Sequence, residues 1–334
     1  MEVHRDITAR LVAFPVKQPR GRERLVVVAG YTFQIDPRGV PEVLPDGPDV
    51  PLVDTYYGNE GISSIRMPSQ LFDEKPGTDV VLLGHAQPPR GGGSHVDVSL
   101  RMGPIAKMVR AHGLRVWQRG AFGGLRPGPA RPLREPLPLS YDLAWGGLDL
   151  SDPARPKGDA RNTCGRGVAR DLAALVDQPA AQLEYLDRPV GQGSETPASF
   201  GPIHRHWEPR SRFAGTYDQV WMDTKLPLLP DDFDARFHIC VPEDQWSASP
   251  LRGDEPVEVR GATPEGLWRF QLPRLTPAFS SHGSHGRAEH RTHLDGVVID
   301  ADAYRVHLFF RAAIPLPRKQ QLLESVRVYE KRVL

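Results

Sequence analysis

The chain has 334 residues, enough for one large domain or two modest domains with a substantial core. Its 42 Lys and Arg residues balance 41 Asp and Glu residues, which argues against the basic footprint of a nucleic-acid-binding protein. Apolar runs stay well short of the ~20 residues of a membrane span, so we expect neither nucleic acid nor a membrane as a partner.

The N-terminus and the cysteines indicate the cellular compartment. Charged residues occur within the first ten positions (MEVHRDITAR), where a signal peptide requires an apolar core. The two cysteines, Cys164 and Cys240, form neither a CxxC motif nor a disulfide framework. We therefore expect a cytoplasmic protein.

Short segments of strand character follow one another along the chain. Several alternate apolar and polar residues, at spacings typical of sandwiches and barrels. The predicted strands are residues 25–35, 79–83, 95–100, 114–117, 237–241, 256–259, 267–272, 296–299 and 304–310. We predict a mainly β protein with antiparallel, sandwich- or barrel-like sheets, long Pro/Gly-rich loops and a few short helices.

Helical periodicity is weak. It predicts short helices over residues 167–176 and 318–326, with residues 103–112 as a third candidate. Residues 127–138 (PGPARPLREPLP) contain five Pro and are expected to form a linker or extended arm. Residues 278–293, rich in Ser, Gly and His, are expected to form an exposed loop.

The Pro-rich segment suggests a division of the chain. Residues 1–126 form a β-rich N-terminal part, residues 127–140 connect, and residues 141–334 form a β-rich C-terminal part with most of the motifs. We expect that the two parts could also pack as one body.

Recognisable catalytic motifs are lacking. The sequence has no GxxxxGK[ST] phosphate loop and no GxSxG elbow, and RGGGSH (residues 90–95) is not followed by a convincing helix. We therefore expect no cofactor, no catalytic residues and no enzymatic activity.

A metal site is the main alternative. His204, His206 and Glu208 alternate, so on a strand their side chains would leave one face, as in a 2-His-1-carboxylate site. The Glu follows sooner than in cupins, however, and Pro209 would break the strand. A packed or solvent-facing His pair is favoured, and a cupin-like β-barrel metalloenzyme is kept as the alternative.

Two further clusters have ligand-like residue types. The His282, His285, His290 and His293 cluster has gaps of three, five and three residues that could close on zinc, but an exposed loop is favoured. The carboxylates of LPDDFDARF (residues 229–237) are interpreted as turn and capping residues, although they could also hold a hard cation.

Residues 200–221 (FGPIHRHWEPRSRFAGTYDQVW) concentrate amphipathic side chains. Such residues bury their apolar bodies only when their polar ends find partners. We interpret Trp207, Arg210, Tyr217, Asp218 and Trp221 as a hydrogen-bonded frame beneath loops. This stretch is therefore expected to be scaffolding and not an active site.

The order of motifs over residues 8–273 resembles a bacterial family that was long labelled a domain of unknown function and is encoded beside VgrG-type and PAAR-like spike proteins in type VI secretion loci. The strongest match lies in residues 200–273. The matching motifs are GYTF (30–33), DTYYG (54–58), SSIR (63–66), PGTDVVLLGHA (76–86), YDLAWGG (141–147), NTCGRG (162–167), FGPIHRHWEPR (200–210), AGTYDQVW (214–221), LPDDFDARF (229–237), EDQW (243–246), LRGDEPVEV (251–259) and GLWRFQLP (266–273).

The resemblance implies an effector adaptor or chaperone that transforms no substrate. Its expected partners are an effector protein, its PAAR-like domain and the VgrG spike; a structural component of the secreted spike is a second alternative. Partner contacts are guessed at residues 127–138 and at Tyr56, Tyr57 and Trp246. The matched positions expected to shape the scaffold are Trp145, Gly146, Gly147, Phe200, Gly201, Pro202, Trp207, Arg210, Gly215, Tyr217, Asp218, Trp221, Asp232, Asp234, Gln245, Gly253, Asp254 and Glu255.

Overall fold

The protein is mainly β, as predicted, with 41% of residues in strands and 8% in helices. The structure is a computed structural model that describes residues 2–6, 8–17, 23–120, 124–284, 286–316 and 323–330. Within these ranges no helix has the length and hydropathy needed to cross a membrane.

The strands are numbered in chain order. They are β1 Glu2–Asp6, β2 Arg10–Lys17, β3 Glu23–Ile35, β4 Pro41–Val43, β5 Thr55–Tyr56, β6 Ile65–Met67, β7 Thr78–Leu83, β8 His85–Ala86, β9 His95–Met102, β10 Ile105–His112, β11 Trp117–Arg119, β12 Leu125–Pro127, β13 Leu137–Pro138, β14 Trp145–Gly146, β15 Leu148–Asp149, β16 Lys157–Gly158, β17 Arg166–Gly167, β18 Leu183–Glu184, β19 Trp246–Ser247, β20 Pro256–Arg260, β21 Leu267–Gln271, β22 Pro277–Gly283, β23 Gly286–His290, β24 His293–Asp300, β25 Arg305–Pro315 and β26 Leu323–Glu330.

Helices in the described residues are short. The α-helix α1 spans Gln219–Thr224, and the 3-10 helices span Tyr141–Leu143, Leu172–Leu175, Arg210–Phe213, Ala235–His238 and Glu243–Gln245.

The largest sheet has the strand order β19-β7-β24-β25-β3-β2, with β4 also paired to β3. The β7 and β24 strands run parallel, whereas the other neighbours in this sheet are antiparallel. Strands from before and after the Pro-rich segment therefore mix in one sheet. Its central strands are runs of Val, Leu and Phe, as expected for strands buried on both faces.

A second sheet, of order β18-β10-β9-β20-β21, packs against one face of the first. The side chains between them form the main core, in which Trp268, Leu100 and Leu308 are fully buried. This arrangement is a sandwich of two mostly antiparallel sheets.

A smaller core covers the other face of the large sheet. Val26, Val81 and Val298 point to this side and contact Cys240 and Val241, which belong to an irregular segment. Residues 239–241 thus cover this face, whereas Phe200, Ile203 and Trp207 of the same motif-rich part belong to the main core.

Residues 237–241 do not form the predicted strand. The 3-10 helix Ala235–His238 occupies the first part of this segment. Its backbone groups form hydrogen bonds with side chains: Arg210 Nε donates to the Phe237 carbonyl at 2.9 Å, and the Cys240 N–H donates to the Asp79 carboxylate at 2.8 Å. These hydrogen bonds replace those of a neighbouring strand. The predicted strand at 114–117 is also shifted, to Trp117–Arg119.

Two predicted helices are wrong where the structure describes them. Residues 103–112 form a tight turn followed by β10, with Gly103 at a φ of 54° and Ile105 opposite Met102. Residues 323–326 lie in β26, while residues 318–322 lie outside the described residues. In the third, 167–176, only the turn Leu172–Leu175 is helical.

The His-rich segment forms a hairpin of β22 and β23 in the sheet β1-β26-β22-β23, so the predicted loop is wrong. The segment has few apolar residues to indicate a strand, and β22 forms because it pairs with β26. In the Pro-rich segment 127–138, most residues have no regular structure, as expected, and Leu133 is buried.

Candidate partner-binding surface

The motifs YDLAWGG and NTCGRG are joined through one buried amide. Asn162 Nδ2 donates to the carbonyl oxygens of Tyr141 and Trp145, each at 2.9 Å, and β14 pairs with β17. Gly146, at a φ of 141°, leaves room for this contact, since a Cβ there would lie 2.2 Å from the Asn162 carbonyl oxygen. Gly147 also has a positive φ, and Trp145 Nε1 donates to Asp159. These residues hold the scaffold.

Trp207 is the centre of a buried aromatic group. Its side chain is 2% exposed, and its Nε1 donates to Thr163 Oγ1 at 3.0 Å. Its ring meets Tyr141 edge-on and lies 4.4 Å from the His204 ring. The geometry agrees with the interpretation of Trp207 as part of a hydrogen-bonded frame.

Arg210 is buried beside this group. Its Nη1 donates to the Ile203 carbonyl at 2.7 Å, and its guanidinium lies over the Phe237 ring. The preceding residues Phe200, Gly201 and Pro202 are also buried, so the whole start of the motif is interior.

Gln245 connects this frame to the sheet. Its Nε2 donates to the carbonyls of Val80 and Phe200 at 2.8 Å, and its Oε1 accepts from the fully buried Lys107 Nζ at 2.7 Å. Lys107 also pairs with Asp244, which accepts from Tyr185 OH. Burial lowers the pKa of Lys107 to about 8. Sequence reasoning named Gln245 but missed its partners, because Lys107 lies 138 residues from Gln245 and Tyr185 lies 59 residues from Asp244.

An open groove of about 710 Å³ lies on the surface above the frame. One wall belongs to residues 52–71 and the other to His204, Arg205 and His206. The first wall exposes large apolar side chains, with Val53 at 70% and Leu71 at 54%. Exposed apolar groups around a concavity are a feature of binding surfaces.

The groove walls are fixed by hydrogen bonds. Asp54 accepts from the Ser69 N–H at 2.7 Å and from Arg205 Nη2 at 2.9 Å, which ties the two walls together. Below them, Arg311 is buried against Asp295 and donates to the Gln70 carbonyl at 3.0 Å. The groove is therefore formed before any partner arrives.

The three aromatic residues guessed to contact a partner lie in different places. Tyr56 lines the groove and its OH donates to Glu60, whereas burial raises the pKa of the neighbouring Tyr57 to about 12. Trp246 is half-buried in β19, where its Nε1 donates to the Pro76 carbonyl. Only Tyr56 lies in the groove.

The candidate metal ligands do not converge. Residues 204–209 form turns and not a strand, so the alternation of side chains does not apply. His204 Nε2 donates to the Ser63 carbonyl at 3.0 Å, His206 is exposed in the groove, and Glu208 pairs with Arg212. Burial lowers the pKa of His204.

The second histidine cluster is also dispersed. His282 pairs with Glu324, His290 contacts Ser281, and His293 Nε2 donates to the Lys75 carbonyl, while His285 lies outside the described residues. Across the described ranges, no group of three or more His, Cys, Asp or Glu side chains is arranged to hold a metal ion.

Residues 214–234 form an excursion that we call the lobe. The 3-10 helices Arg210–Phe213 and Ala235–His238 pack together at its base, where the Asp234 N–H donates to the Phe213 carbonyl. Asp234 caps the second of these helices. Asp232 accepts from the N–H and the hydroxyl of Thr216, beside Gly215 at a φ of 82°. Asp234 thus has the predicted capping role and Asp232 the predicted turn role, whereas Asp231 pairs with Lys225.

Within the lobe, Asp218 caps α1 by accepting from the Trp221 N–H at 2.8 Å. Trp221 Nε1 donates to the Leu228 carbonyl, whereas Tyr217 is 50% exposed and only its ring contacts Trp221. Tyr217, Asp218 and Trp221 therefore do not belong to the buried frame predicted for them, because the backbone around them has left the core.

The turn Gly253–Asp254–Glu255 precedes β20. Both Gly253 and Asp254 have positive φ, and Glu255 accepts from the Arg252 N–H at 2.8 Å. A Cβ at Gly253 would lie 2.6 Å from the Arg274 backbone. This turn directs the backbone into β20, which forms a hairpin with β21, and its residues do not line the groove.

Comparison with known proteins places these motifs in one family. No curated protein and no solved structure is similar enough to the chain to be matched. A family model described as "Uncharacterized protein conserved in bacteria (DUF2169)" matches residues 20–311, which is most of the chain and includes the frame, the groove and the lobe. The chain therefore belongs to the bacterial protein family DUF2169.

Proposed function

We propose that this protein is a non-enzymatic adaptor that binds a type VI secretion effector, or the PAAR-like domain of one, and helps to load it onto the VgrG spike. The order of motifs along the chain supports this proposal through the family resemblance. The groove between residues 52–71 and 204–206 is the observation on which the binding role rests.

The groove suits a polypeptide better than a small molecule. It is only partly enclosed, and its apolar lining residues Leu52, Val53 and Leu71 are 42%, 70% and 54% exposed. Protein interfaces use such rims, in which apolar anchors are surrounded by polar groups. Because hydrogen bonds fix both walls, little loop entropy is lost on binding.

The motif residues support the same role indirectly. Trp207, Arg210, Asn162 and Gln245 make hydrogen bonds to backbone or neighbouring side chains, and those of Arg210 and Gln245 fix the segment that leads into His204. An adaptor needs a rigid surface of this kind and no reacting group at its centre.

The test is co-expression with the PAAR-like, effector and VgrG-type proteins of the same genome, followed by purification and mass measurement of the complex. We expect a stoichiometric complex with an effector or its PAAR-like domain. The double variant Val53→Asp/Leu71→Asp should weaken it at least about tenfold, whereas Leu148→Asp, an exposed leucine outside the groove, should not. Absence of any complex from the unaltered chain would overturn the proposal.

A further inference from the structure

The lobe, residues 214–234, is exposed to an unusual degree for a family-matched segment. None of residues 211–229 is buried, although they include Tyr217, Val220, Trp221, Met222 and Leu226. The segment leaves the core after Arg210–Phe213 and returns at Ala235–His238. Its fold therefore owes little to the sandwich.

The lobe is nevertheless internally ordered. Trp221 Nε1 donates to the Leu228 carbonyl at 2.9 Å, Lys225 pairs with Asp231 at 2.8 Å, and Asp218 caps α1. Compact surface loops that are packed by their own side chains are frequently functional. The lobe presents a fixed surface and not a loose chain.

That surface is apolar. Val220 is 67% exposed and Leu226 is 62% exposed, and Tyr217 and Met222 are each about half exposed. Single exposed apolar residues are common, but four within ten consecutive residues concentrate exposed apolar area in one short segment, as interaction sites do.

The charge around this cluster is negative. Residues 216–232 contain four Asp (218, 223, 231 and 232) and one Lys (225), a net charge of −3. Such a surface is repelled by anionic lipid headgroups and by nucleic acid. It is complementary to a protein that offers Lys or Arg around an apolar cleft.

A small cavity lies between the groove and the two 3-10 helices at the base of the lobe. It measures about 60 Å³ and is lined by Leu71 and Arg205 of the groove and by Arg210 and Phe237 at the base of the lobe. The groove and the base of the lobe are therefore neighbours on the surface.

We propose that the lobe is a docking surface for a polypeptide partner with an apolar cleft rimmed by Lys or Arg. Its apolar side chains enter the cleft, and its aspartates steer the approach and set the orientation. This inference rests on the proposed adaptor function and specifies the chemistry of the partner.

The test uses the full chain and the purified PAAR-like domain from the same genome, with affinity and association rate measured at about 0.05 M and 0.3 M salt. Val220→Asp and Leu226→Asp should each lower the affinity at least about tenfold. Leu172→Asp is the matched control, because Leu172 is 54% exposed and lies outside the lobe.

Charge is tested with Asp223→Lys, which should slow association several-fold and reduce its salt dependence. Asp187→Lys is the control, since Asp187 is exposed on another segment. Thermal unfolding should be unchanged in all these variants, because the altered side chains are exposed.

The outcomes separate the two proposals. If the unaltered chain binds and the lobe variants bind equally well, the docking role is wrong and the adaptor function stands. If Val220→Asp abolishes binding, but neither salt nor Asp223→Lys changes the association rate, the predicted Lys or Arg rim of the partner is wrong. If the unaltered chain binds neither an effector nor a PAAR-like domain, both proposals fall.

Discussion

Trp207 and Tyr217 stand ten residues apart in the same motif-rich block, yet one is buried and the other is half exposed. Trp207 lies where the backbone crosses the sandwich, so its indole finds Thr163 and the rings of Tyr141 and His204. Tyr217 lies where the backbone forms the lobe and meets only Trp221 and its own segment. An amphipathic aromatic residue thus gives no sign of its environment until the path of the backbone is known.

The largest contrast between the frame and the lobe is expected on truncation of these two side chains. Trp207→Ala removes a buried ring and its hydrogen bond, so we expect a loss of ~3–5 kcal/mol in the free energy of unfolding. Tyr217→Ala should cost under ~1 kcal/mol. Urea denaturation measures both, and equal losses would contradict the division into frame and lobe.

Arg210 offers the next largest effect. Arg210→Met leaves the buried Ile203 carbonyl and the half-buried Phe237 carbonyl without their donor, so we expect a loss of about 2–4 kcal/mol. Faster amide exchange at residues 235–239 should accompany it. The control Arg212→Met removes an exposed ion pair and should change stability by under ~1 kcal/mol. Unchanged amide exchange at residues 235–239 in Arg210→Met would show that Arg210 does not hold this segment in place.

The pH dependence of stability should arise from buried residues and not from the lobe. Burial, aided by Arg210, Lys75 and Arg311, lowers the pKa of His238 to about 3. The unfolded chain, with a histidine pKa near ~6.5, binds more protons between these values, so stability is present above pH ~6.5 and is lost as pH falls towards ~3.

Between pH ~7 and ~5 the loss from His238 is about 2 kcal/mol. His238→Gln should flatten this part of the profile, although the loss of its stacking on Phe72 lowers stability at every pH. Denaturation at several pH values gives the slope. An unchanged slope in the variant would show that His238 is not the group that titrates.

The smallest effects are expected in the lobe. Asp218→Ala removes the cap of a six-residue helix, which should cost ~1 kcal/mol or less and raise amide exchange only around α1. Tyr217→Phe should be neutral to within ~0.5 kcal/mol. A global loss of stability in either variant would mean that the lobe supports the core.

The central strands could be predicted because their sequences are compatible with only one type of secondary structure. Residues 25–35 and 79–83 are apolar, β-branched runs between turns, and β3 and β7 follow them closely. Residues 105–112 fit two periods: Ile105, Met108, Val109 and His112 suit a helix, whereas Ile105, Lys107, Val109 and Ala111 suit a strand. The tight turn at Gly103 places these residues beside β9, and pairing with β9 favours the strand over the helix.

The candidate surface could be predicted only in part. The matched motifs cover parts of both groove walls, residues 54–58 and 63–66 on one side and 200–210 on the other, but the sequence does not show that these distant segments meet. The Arg205–Asp54 and His204–Ser63 hydrogen bonds span 151 and 141 residues. No local pattern encodes such contacts. The apolar residues Val53, Ile62 and Leu71 lie in an aperiodic loop, which is why they gave no signal.

The position of β24 and β25 between β7 and β3 has a consequence for biosynthesis. During translation, residues 23–35 and 78–83 leave the ribosome more than two hundred residues before 293–315, the strands that bridge them. Until then two strongly apolar edges remain open to mispairing. The nascent protein should need protection by a ribosome-associated chaperone until its last strands emerge.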